Sequence, residues 1–224
     1  MKTILCYGDS NTWGYVPGSM NLEKMEVARY PFDVRWTGRL QKILGNDYLI
    51  IEEGLCGRTT NIEAFPNVSG EIRSGKTYLP PCLFSHAPLD LVIIMLGVND
   101  LQPAYNRSAQ EAALGIAELI QIIQSTSYGV TMQLPPKILL IGYPLVDNRD
   151  DLFFGIFNGA FPKSKQFPSL CSEIAKRYGC EYLDMSPHIQ MSAIDGLHFD
   201  EKAHEKFANL LAEKILLMQS LKYI

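Results

Sequence analysis

Short runs of apolar residues, each bounded by Gly, Pro or Asp, recur along the chain and are typical of β-strands. The runs are continuous in Val, Ile and Leu rather than alternating with polar residues, which indicates strands that are covered on both faces. We predict strands at Ile4–Tyr7, Tyr48–Ile51, Leu91–Leu96 and Ile138–Ile141, and a weaker one at Tyr182-Leu183.

Between these runs, apolar residues recur at helical spacing, which predicts amphipathic helices. The predicted helices are Trp36–Leu44, Ala109–Ser125, Ser169–Tyr178 and Glu201–Leu221. Strands that alternate with helices predict a parallel sheet joined by right-handed crossovers. We therefore predict the α/β class, a three-layer α/β/α fold with a central five-stranded parallel sheet. The length of 224 residues fits one such domain, spanning 1–224.

Three long stretches fit neither element: Val16–Val34, Phe65–Pro88 and Gly142–Pro168. Loops of this length are usually functional or disordered. Because they leave the carboxyl ends of predicted strands, or follow such a segment, we expect them to surround the entrance to one site. The third stretch holds four phenylalanines, Phe153, Phe154, Phe157 and Phe161. These could form an apolar acyl pocket, or they could anchor the loop or fill a subunit contact; both alternatives stay open.

Composition removes several classes of function. The hydrophobic fraction of 47% and the charged fraction of 20% are ordinary for a globular protein. A net charge of −4 without a basic stripe argues against nucleic acid as a partner. No apolar run approaches the ~18–20 residues of a membrane span.

The five cysteines are odd in number and form no C-x-x-C pair, which favours a reducing setting over a disulfide framework. The chain enters its first predicted strand almost at once, so we expect no signal peptide. Together these features predict a cytoplasmic protein.

A serine follows the first predicted strand directly, in Gly8-Asp9-Ser10-Asn11. It would stand at the carboxyl edge of the sheet, where open α/β sheets build their sites. A serine hydroxyl becomes a useful nucleophile only when a base lies within hydrogen-bond reach. The alternative is an ordinary helix N-cap, a position that serine often takes.

An acid and an imidazole stand close together in Asp195-Gly196-Leu197-His198, before the last predicted helix. A carboxylate at this spacing can bond one ring nitrogen and fix the tautomer. The other ring nitrogen can then face a serine. The alternative is a polar loop without a chemical role.

Two further turns fall on the same predicted sheet edge. Asn99, after the third strand, could donate its side-chain amide to a developing oxyanion. Gly57, after the second strand, has no Cβ, so its N–H could approach a substrate oxygen closely. Each segment alone is an ordinary turn. Together with the serine and the histidine they predict esterase-type hydrolysis.

These blocks resemble the SGNH hydrolase superfamily, also called GDSL esterases, whose signature residues are Ser, Gly, Asn and His. The resemblance implies that Ser10 is the nucleophile, His198 the general base and Asp195 its orienting carboxylate. It assigns the oxyanion hole to the N–H groups of Ser10 and Gly57 and to the Asn99 amide, within a flavodoxin-like fold. One difference is that Asn11 stands where the named motif carries leucine.

The chain is most similar to the bacterial arylesterase/acyltransferase group of that superfamily. The segments that carry this similarity are Val34–Gly38, Ile51–Leu55, Arg58–Asn61 and Leu89–Gly97. Members hydrolyse short acyl esters, and some pass the acyl group to alcohols or peroxide. The resemblance implies a homo-oligomer. It also implies an apolar substrate pocket that includes Trp13, Phe154, Phe157 and Leu197.

The sequence therefore predicts a serine esterase that hydrolyses short aryl or alkyl esters through an acyl-enzyme on Ser10. We expect no cofactor; Asp9 and Asp100 could suggest a metal, but histidine ligands at metal spacing are missing. A small-molecule ester is the expected partner. The alternatives are an acyltransferase or perhydrolase, a carbohydrate O-deacetylase, and a non-enzymatic flavodoxin-like ligand-binding module.

Overall fold

A five-stranded parallel sheet forms the centre of the molecule. The computed structural model describes residues 1–21, 23–24, 26–63 and 72–220. The strands are β1 (Lys2–Gly8), β2 (Tyr48–Gly54), β3 (Leu91–Met95), β4 (Lys137–Gly142) and β5 (Glu181–Asp184). Their order is β2-β1-β3-β4-β5 and all four pairings are parallel. The predicted α/β class and the five-stranded parallel sheet are confirmed.

Helices flank the sheet, and four of those in the described part of the chain correspond to the four predicted helices. The helices are α1 (Ser10–Trp13), α2 (Trp36–Leu44), α3 (Gly75–His86), α4 (Ala109–Gln124), α5 (Ala160–Ser164), α6 (Phe167–Tyr178) and α7 (Glu201–Ser220). Helix α2 packs on α7, and α4 packs on both α3 and α6. The predicted end of the last helix at Leu221 lies outside the described residues.

Helix α3 corrects the prediction of a loop over Phe65–Pro88. Pro80 and Pro81 lie inside this helix, although proline removes a backbone donor there and is normally a helix breaker. Leu79 and Leu83, one turn apart, are fully buried and hold the helix against the core. Packing thus outweighs local propensity. Residues 65–71 of the predicted loop lie outside the described residues.

A second correction concerns Gly142–Pro168, where α5 and the start of α6 replace part of the predicted loop. Helix α6 begins at Phe167, two residues before the predicted start at Ser169. Phe167 is 1% exposed, so it joins the core as the first residue of the helix. A proline follows it at the next position, where a missing N–H costs no helical hydrogen bond.

The strand register determines where the site is built. Every residue of β3 is buried, as expected for a strand covered on both faces. Gly8, the last residue of β1, is level with Gly54 of β2 and Met95 of β3. The segments that leave these three strands therefore start side by side.

None of the helices within the described residues is long and apolar enough to cross a membrane. A single domain spanning 1–224 stays a prediction.

Candidate active site

Ser10 stands where the sequence predicts it, at the carboxyl edge of the sheet. Strand β1 ends at Gly8, and the Asp9 carboxylate caps α1 by accepting the Asn11 N–H at 3.0 Å. Ser10 is the first residue of that short helix and is 6% exposed. Its backbone N–H belongs to a first turn, where helical N–H groups have no intrahelical acceptor.

The loop before α7 brings an imidazole and a carboxylate to this hydroxyl. His198 Nε2 lies 3.0 Å from Ser10 Oγ, and His198 Nδ1 lies 2.8 Å from Asp195 Oδ2. The other Asp195 oxygen accepts the N–H groups of Leu197 at 3.1 Å and His198 at 3.0 Å. Three residues from opposite ends of the chain thus form one hydrogen-bonded row.

The electrostatics of this row give each ring nitrogen a defined role. Burial raises the pKa of Asp195, but hydrogen bonds from His198, together with its charge and the Leu197 N–H, outweigh burial and hold that pKa below its ordinary value. An ionised carboxylate at Nδ1 requires a proton on that nitrogen. Nε2 is then free to accept the Ser10 proton. The arrangement can perform nucleophilic chemistry with a serine alcohol.

Two aromatic rings enclose His198: Phe153, which the sequence names among the candidate acyl-pocket residues, and Tyr15, which it does not assign to the site. Tyr15 stacks on the imidazole with ring centroids 3.9 Å apart, and Phe153 meets it edge-on at 5.1 Å. Burial, followed by the nearby charge of Asp195, raises the pKa of Tyr15 to about 12. Both side chains therefore present neutral surface to the imidazole and exclude water from it.

The two predicted oxyanion donors come close together beside the end of β1, the strand that precedes Ser10. Asn99 lies in a 3-10 turn, Val98–Leu101, and its Nδ2 donates to the Arg58 carbonyl at 3.0 Å. An amide nitrogen carries two N–H donors, so a second remains. Gly57, next to Arg58, has a φ of +75°, a conformation that other residues rarely adopt. The turn that presents the Gly57 N–H therefore requires glycine.

Arg58 holds this turn against the strand ends, a role that the sequence analysis did not assign. Arg58 is 2% exposed, and its guanidinium donates to the Gly8 carbonyl at 2.9 Å and to the Glu53 carbonyl. It also lies over the Tyr7 ring, 4.2 Å from its centroid. One buried cation thus joins the ends of β1 and β2 to the turn that contains Gly57.

The four predicted pocket residues occupy different surroundings. Phe154 is 57% exposed, whereas Phe157 is buried in the core and meets Phe153 edge-on at 6.2 Å. Leu197 is buried next to His198, and Trp13 lies under the Arg29 guanidinium at 5.1 Å. Among the described residues, the aromatic rings that contact His198 are Tyr15 and Phe153. The pocket assignment of the four residues stays a prediction.

The predicted third loop reaches the site through its backbone. The Asp147 N–H donates to the Gly196 carbonyl at 2.9 Å, and the Phe153 N–H donates to the Asp195 carbonyl at 3.3 Å. These bonds carry Phe153 to the imidazole. The loop therefore both anchors the site and lines it.

Asp9 and Asp100, the two carboxylates that could suggest a metal, each have protein partners. Burial raises the pKa of Asp9 to about 7 and that of Asp100 to about 6. Asp9 accepts from the Asn11 N–H and the Tyr143 hydroxyl. Asp100 accepts from Thr60 and pairs with Arg107 at 2.6 Å. Both act as buried hydrogen-bond acceptors.

One cluster of side chains has the composition of a metal site. Ligand atoms of Glu53, Cys82 and His86 all lie within 4.8 Å of one another. The Glu53 carboxylate already contacts His86 Nε2 at 2.8 Å. Burial, followed by the charge of Glu53, raises the pKa of the Cys82 thiol to about 12. Two of the three groups, Glu53 and His86, thus already pair with each other, and the expectation that no metal is bound stays a prediction.

Comparison with known proteins agrees with this geometry. A model of the GDSL-like lipase/acylhydrolase family matches residues 6–206. A carbohydrate acetylesterase from Sinorhizobium meliloti is 37% identical, with a TM-score of 0.87, and the alignment covers 97% of this chain and 100% of that one. The aryl esterase of M. smegmatis is 37% identical, with a TM-score of 0.87 and coverage of 96% and 98%.

A carbohydrate acetylesterase family member from Sinorhizobium meliloti is 32% identical, with a TM-score of 0.85, covering 97% of this chain and 99% of that one. No curated protein matches the chain. The similarity to these solved structures extends over almost the whole length of each chain.

Proposed function

The chain belongs to the GDSL-like lipase/acylhydrolase family and is an ester-hydrolysing enzyme, and we propose that it cleaves short acyl esters through an acyl-enzyme on Ser10. The hydrogen-bonded row of Asp195, His198 and Ser10 carries this proposal. A serine alcohol needs a base within hydrogen-bond reach, and the base needs a third group to orient it.

In the proposed cycle, Ser10 Oγ forms a bond to the ester carbonyl carbon while its proton moves to His198 Nε2. The N–H groups of Ser10 and Gly57 and the Asn99 amide stabilise the negative oxygen, each such donor contributing about 3–4 kcal/mol in a dry site. Collapse of the tetrahedral intermediate breaks the bond to the leaving alcohol, which takes the proton from His198. Water then repeats the two steps and releases the acid.

Two features support a short acyl group. Ser10 is 6% exposed and His198 is 2% exposed, so the reacting atoms lie in a narrow, largely covered place. Tyr15 and Phe153 occupy the space around the imidazole. Phe154 at the surface beside Phe153 would contribute to the wall of the pocket, together with Trp13, Phe157 and Leu197.

The alcohol part of the ester has two candidate classes, an aryl or alkyl group and a sugar. Both are suggested equally by the comparisons, because an aryl esterase and a carbohydrate acetylesterase share the same identity with this chain. Acyl transfer to an alcohol or peroxide in place of water would use the same residues and differ in water exclusion.

The remaining finer proposals are a homo-oligomeric enzyme and a reducing compartment such as the cytoplasm. The second is supported by the spacing of the five cysteines, which form no C-x-x-C pair. It is also supported by their odd number.

A series of chromogenic esters of increasing acyl length tests the proposed reaction. We expect kcat/KM to be greatest for the shortest acyl groups and to resist a metal chelator. Parallel assays with acetylated sugars and with added alcohol identify the preferred alcohol and acceptor. Reversible loss of hydrolysis on chelation, or a preference for long acyl chains, would contradict the proposal.

A further inference from the structure

Asn11, the residue next to the proposed nucleophile, has a side chain that reaches the segment around His198. It is 1% exposed and lies in α1. Its Oδ1 accepts the Phe199 N–H at 2.8 Å, and its Nδ2 donates to the Leu197 carbonyl at 3.2 Å. One side chain therefore binds the backbone on both sides of His198, across 188 residues of sequence.

The direction of this amide follows from its partners. A backbone N–H can only donate and a backbone carbonyl can only accept. Oxygen must therefore face Phe199 and nitrogen must face Leu197. The second proton on Nδ2 goes to the Tyr143 hydroxyl at 2.7 Å. Both donors and the acceptor of Asn11 are engaged, which fixes the side chain in one orientation.

Asn11 and Asp195 hold the same peptide group from its two ends. Asp195 Oδ1 accepts the His198 N–H at 3.0 Å, while Asn11 holds the Leu197 carbonyl of that same peptide bond. The His198 carbonyl accepts the Ser192 N–H at 2.8 Å. The backbone that carries the imidazole is thus fixed on each side. The Asn11 bonds connect this backbone to the helix that contains Ser10.

This link differs from an ordinary core hydrogen bond because it starts at the residue adjacent to Ser10. Ser10 and Asn11 are consecutive residues of one short helix. Any shift of that helix relative to the His198 segment would change the Ser10 Oγ–His198 Nε2 distance, 3.0 Å in the structure. The Asn11 bonds oppose such a shift.

We propose that Asn11 is a positioning residue that fixes the His198 imidazole relative to the Ser10 hydroxyl. The proposal rests on the proposed function of Ser10 and His198. A leucine, which the named family motif carries at this position, can make none of the three side-chain hydrogen bonds. In this chain the alignment of nucleophile and base therefore depends on a polar contact that leucine cannot provide.

The test compares Asn11→Leu with Tyr143→Phe. Asn11→Leu removes both bonds to the His198 segment at similar side-chain volume. Tyr143→Phe removes the bonds to Asn11 and Asp9 from the same network but keeps those two. We expect Asn11→Leu to lower kcat by about 100-fold with KM little changed, because a misplacement near 1 Å has such an effect. Tyr143→Phe should keep kcat within about threefold, although it weakens the same network.

Thermal unfolding of both variants separates positioning from stability. A structural role alone predicts that kcat falls with Tm in the two variants alike. The positioning role predicts that Asn11→Leu loses kcat and that Tyr143→Phe keeps it, even where the two variants lose a similar amount of Tm. Equal kcat values in the two folded variants would overturn the proposal.

Asn11→Asp tests the positioning role if Asn11→Leu does not fold. The aspartate has the same shape but turns an oxygen toward the Leu197 carbonyl. At a pH at which the new carboxyl is ionised, its charge would by itself stabilise the imidazolium and raise kcat, so a fall in kcat measured there reports lost alignment. A kcat within about threefold of the wild type would overturn the proposal.

Ser10→Ala keeps the two hypotheses distinguishable. If Ser10→Ala retains activity, the proposed function is wrong. If Ser10→Ala is inactive while the Asn11 variants keep the wild-type kcat, the function stands and the positioning role is wrong.

Discussion

The two ends of the central sheet differ in the polarity of the side chains that surround them. At the carboxyl end, buried polar groups surround one serine and are joined by hydrogen bonds. At the amino end lies a cavity of about 220 Å³ with a largely apolar lining that includes Leu89, Val130, Leu134 and Ile215. Among the described residues that line this cavity, none form a row of serine, histidine and carboxylate like that at the carboxyl end.

The proposed active site is therefore marked by arranged polar groups and not by the volume of a cavity. A buried polar group that lacks a partner costs about 1–3 kcal/mol, so most such groups in folded proteins are paired. At the polar end of the sheet, Ser10, Asn11 and His198 are paired with groups from distant parts of the sequence. This pairing aligns a hydroxyl, an imidazole and a carboxylate.

Replacing the proposed nucleophile should reveal the largest difference in function between the two ends of the sheet. We expect Ser10→Ala to lower kcat for an aryl acetate by about four orders of magnitude or more, because the acyl-enzyme cannot form. At the amino end, Leu134→Ser should leave kcat within about twofold, since Leu134 is an exposed surface residue. Steady-state kinetics and circular dichroism check both. A similar loss in both variants would remove the functional difference between the ends.

Removing the orienting carboxylate should have the next largest effect. Asp195→Ala keeps the side chains of Ser10 and His198 but loses the 2.8 Å contact at Nδ1 and the acceptor for the Leu197 and His198 N–H groups. We expect kcat to fall by about three orders of magnitude, less than for Ser10→Ala, since orientation rather than the nucleophile is lost. Rates of the two purified variants on one substrate provide the comparison. Full activity in Asp195→Ala would exclude Asp195 from the row.

A smaller effect should follow from removing the ring that stacks on His198. Tyr15→Leu loses a contact that aromatic pairs generally make worth about 0.5–1.5 kcal/mol, and we expect kcat to fall by about two- to tenfold. Tyr15→Phe retains the stacked ring and serves as the matched control. Both can be measured by kcat at saturating ester. A loss in Tyr15→Phe equal to that in Tyr15→Leu would assign the effect to the hydroxyl.

The smallest predicted effect concerns stability, through Asp9. Burial raises the folded-state pKa of this carboxyl from 3.8 to about 7. Between these values the folded chain holds a proton that the unfolded chain has released. The free energy of unfolding should therefore fall as the pH rises through this window and level off above it.

Asp9→Asn removes this titration while an oxygen remains to cap α1. We expect the wild type to lose at least about 1 kcal/mol more than Asp9→Asn across the window, as measured by urea unfolding at a series of pH values. Asp100, with a pKa raised to about 6 by burial, titrates in both proteins and cancels in the difference. Parallel pH profiles for the two proteins would show that Asp9 is ionised in the folded state.

Much of the fold could be predicted from the sequence, because buried strands and amphipathic helices have their own periodicities. Helix α2 occupies the predicted residues, and β3 lies within its predicted run. Helix α3 could not be predicted in this way, since its two prolines signal a break and only tertiary packing of Leu79 and Leu83 overrides them.

The same contrast holds for the site. Ser10, Asn99 and His198 stand in motifs at punctuated ends of elements, so the sequence identifies them. Tyr15 and Arg58 act through contacts with residues that are distant in sequence, and no spacing announces such contacts. Asn11 differs from the family motif, and its polar partners become visible only when the His198 segment is folded beside it.

Covalent labelling reports directly on whether His198 activates the Ser10 hydroxyl. The intact protein is treated with a fluorophosphonate ester, and the site of modification is located by peptide mass spectrometry. We predict one adduct, on Ser10, that forms much more slowly in His198→Ala than in the wild type. Absence of an adduct on Ser10 in protein that hydrolyses esters, or a rate of labelling that does not depend on His198, would contradict this prediction.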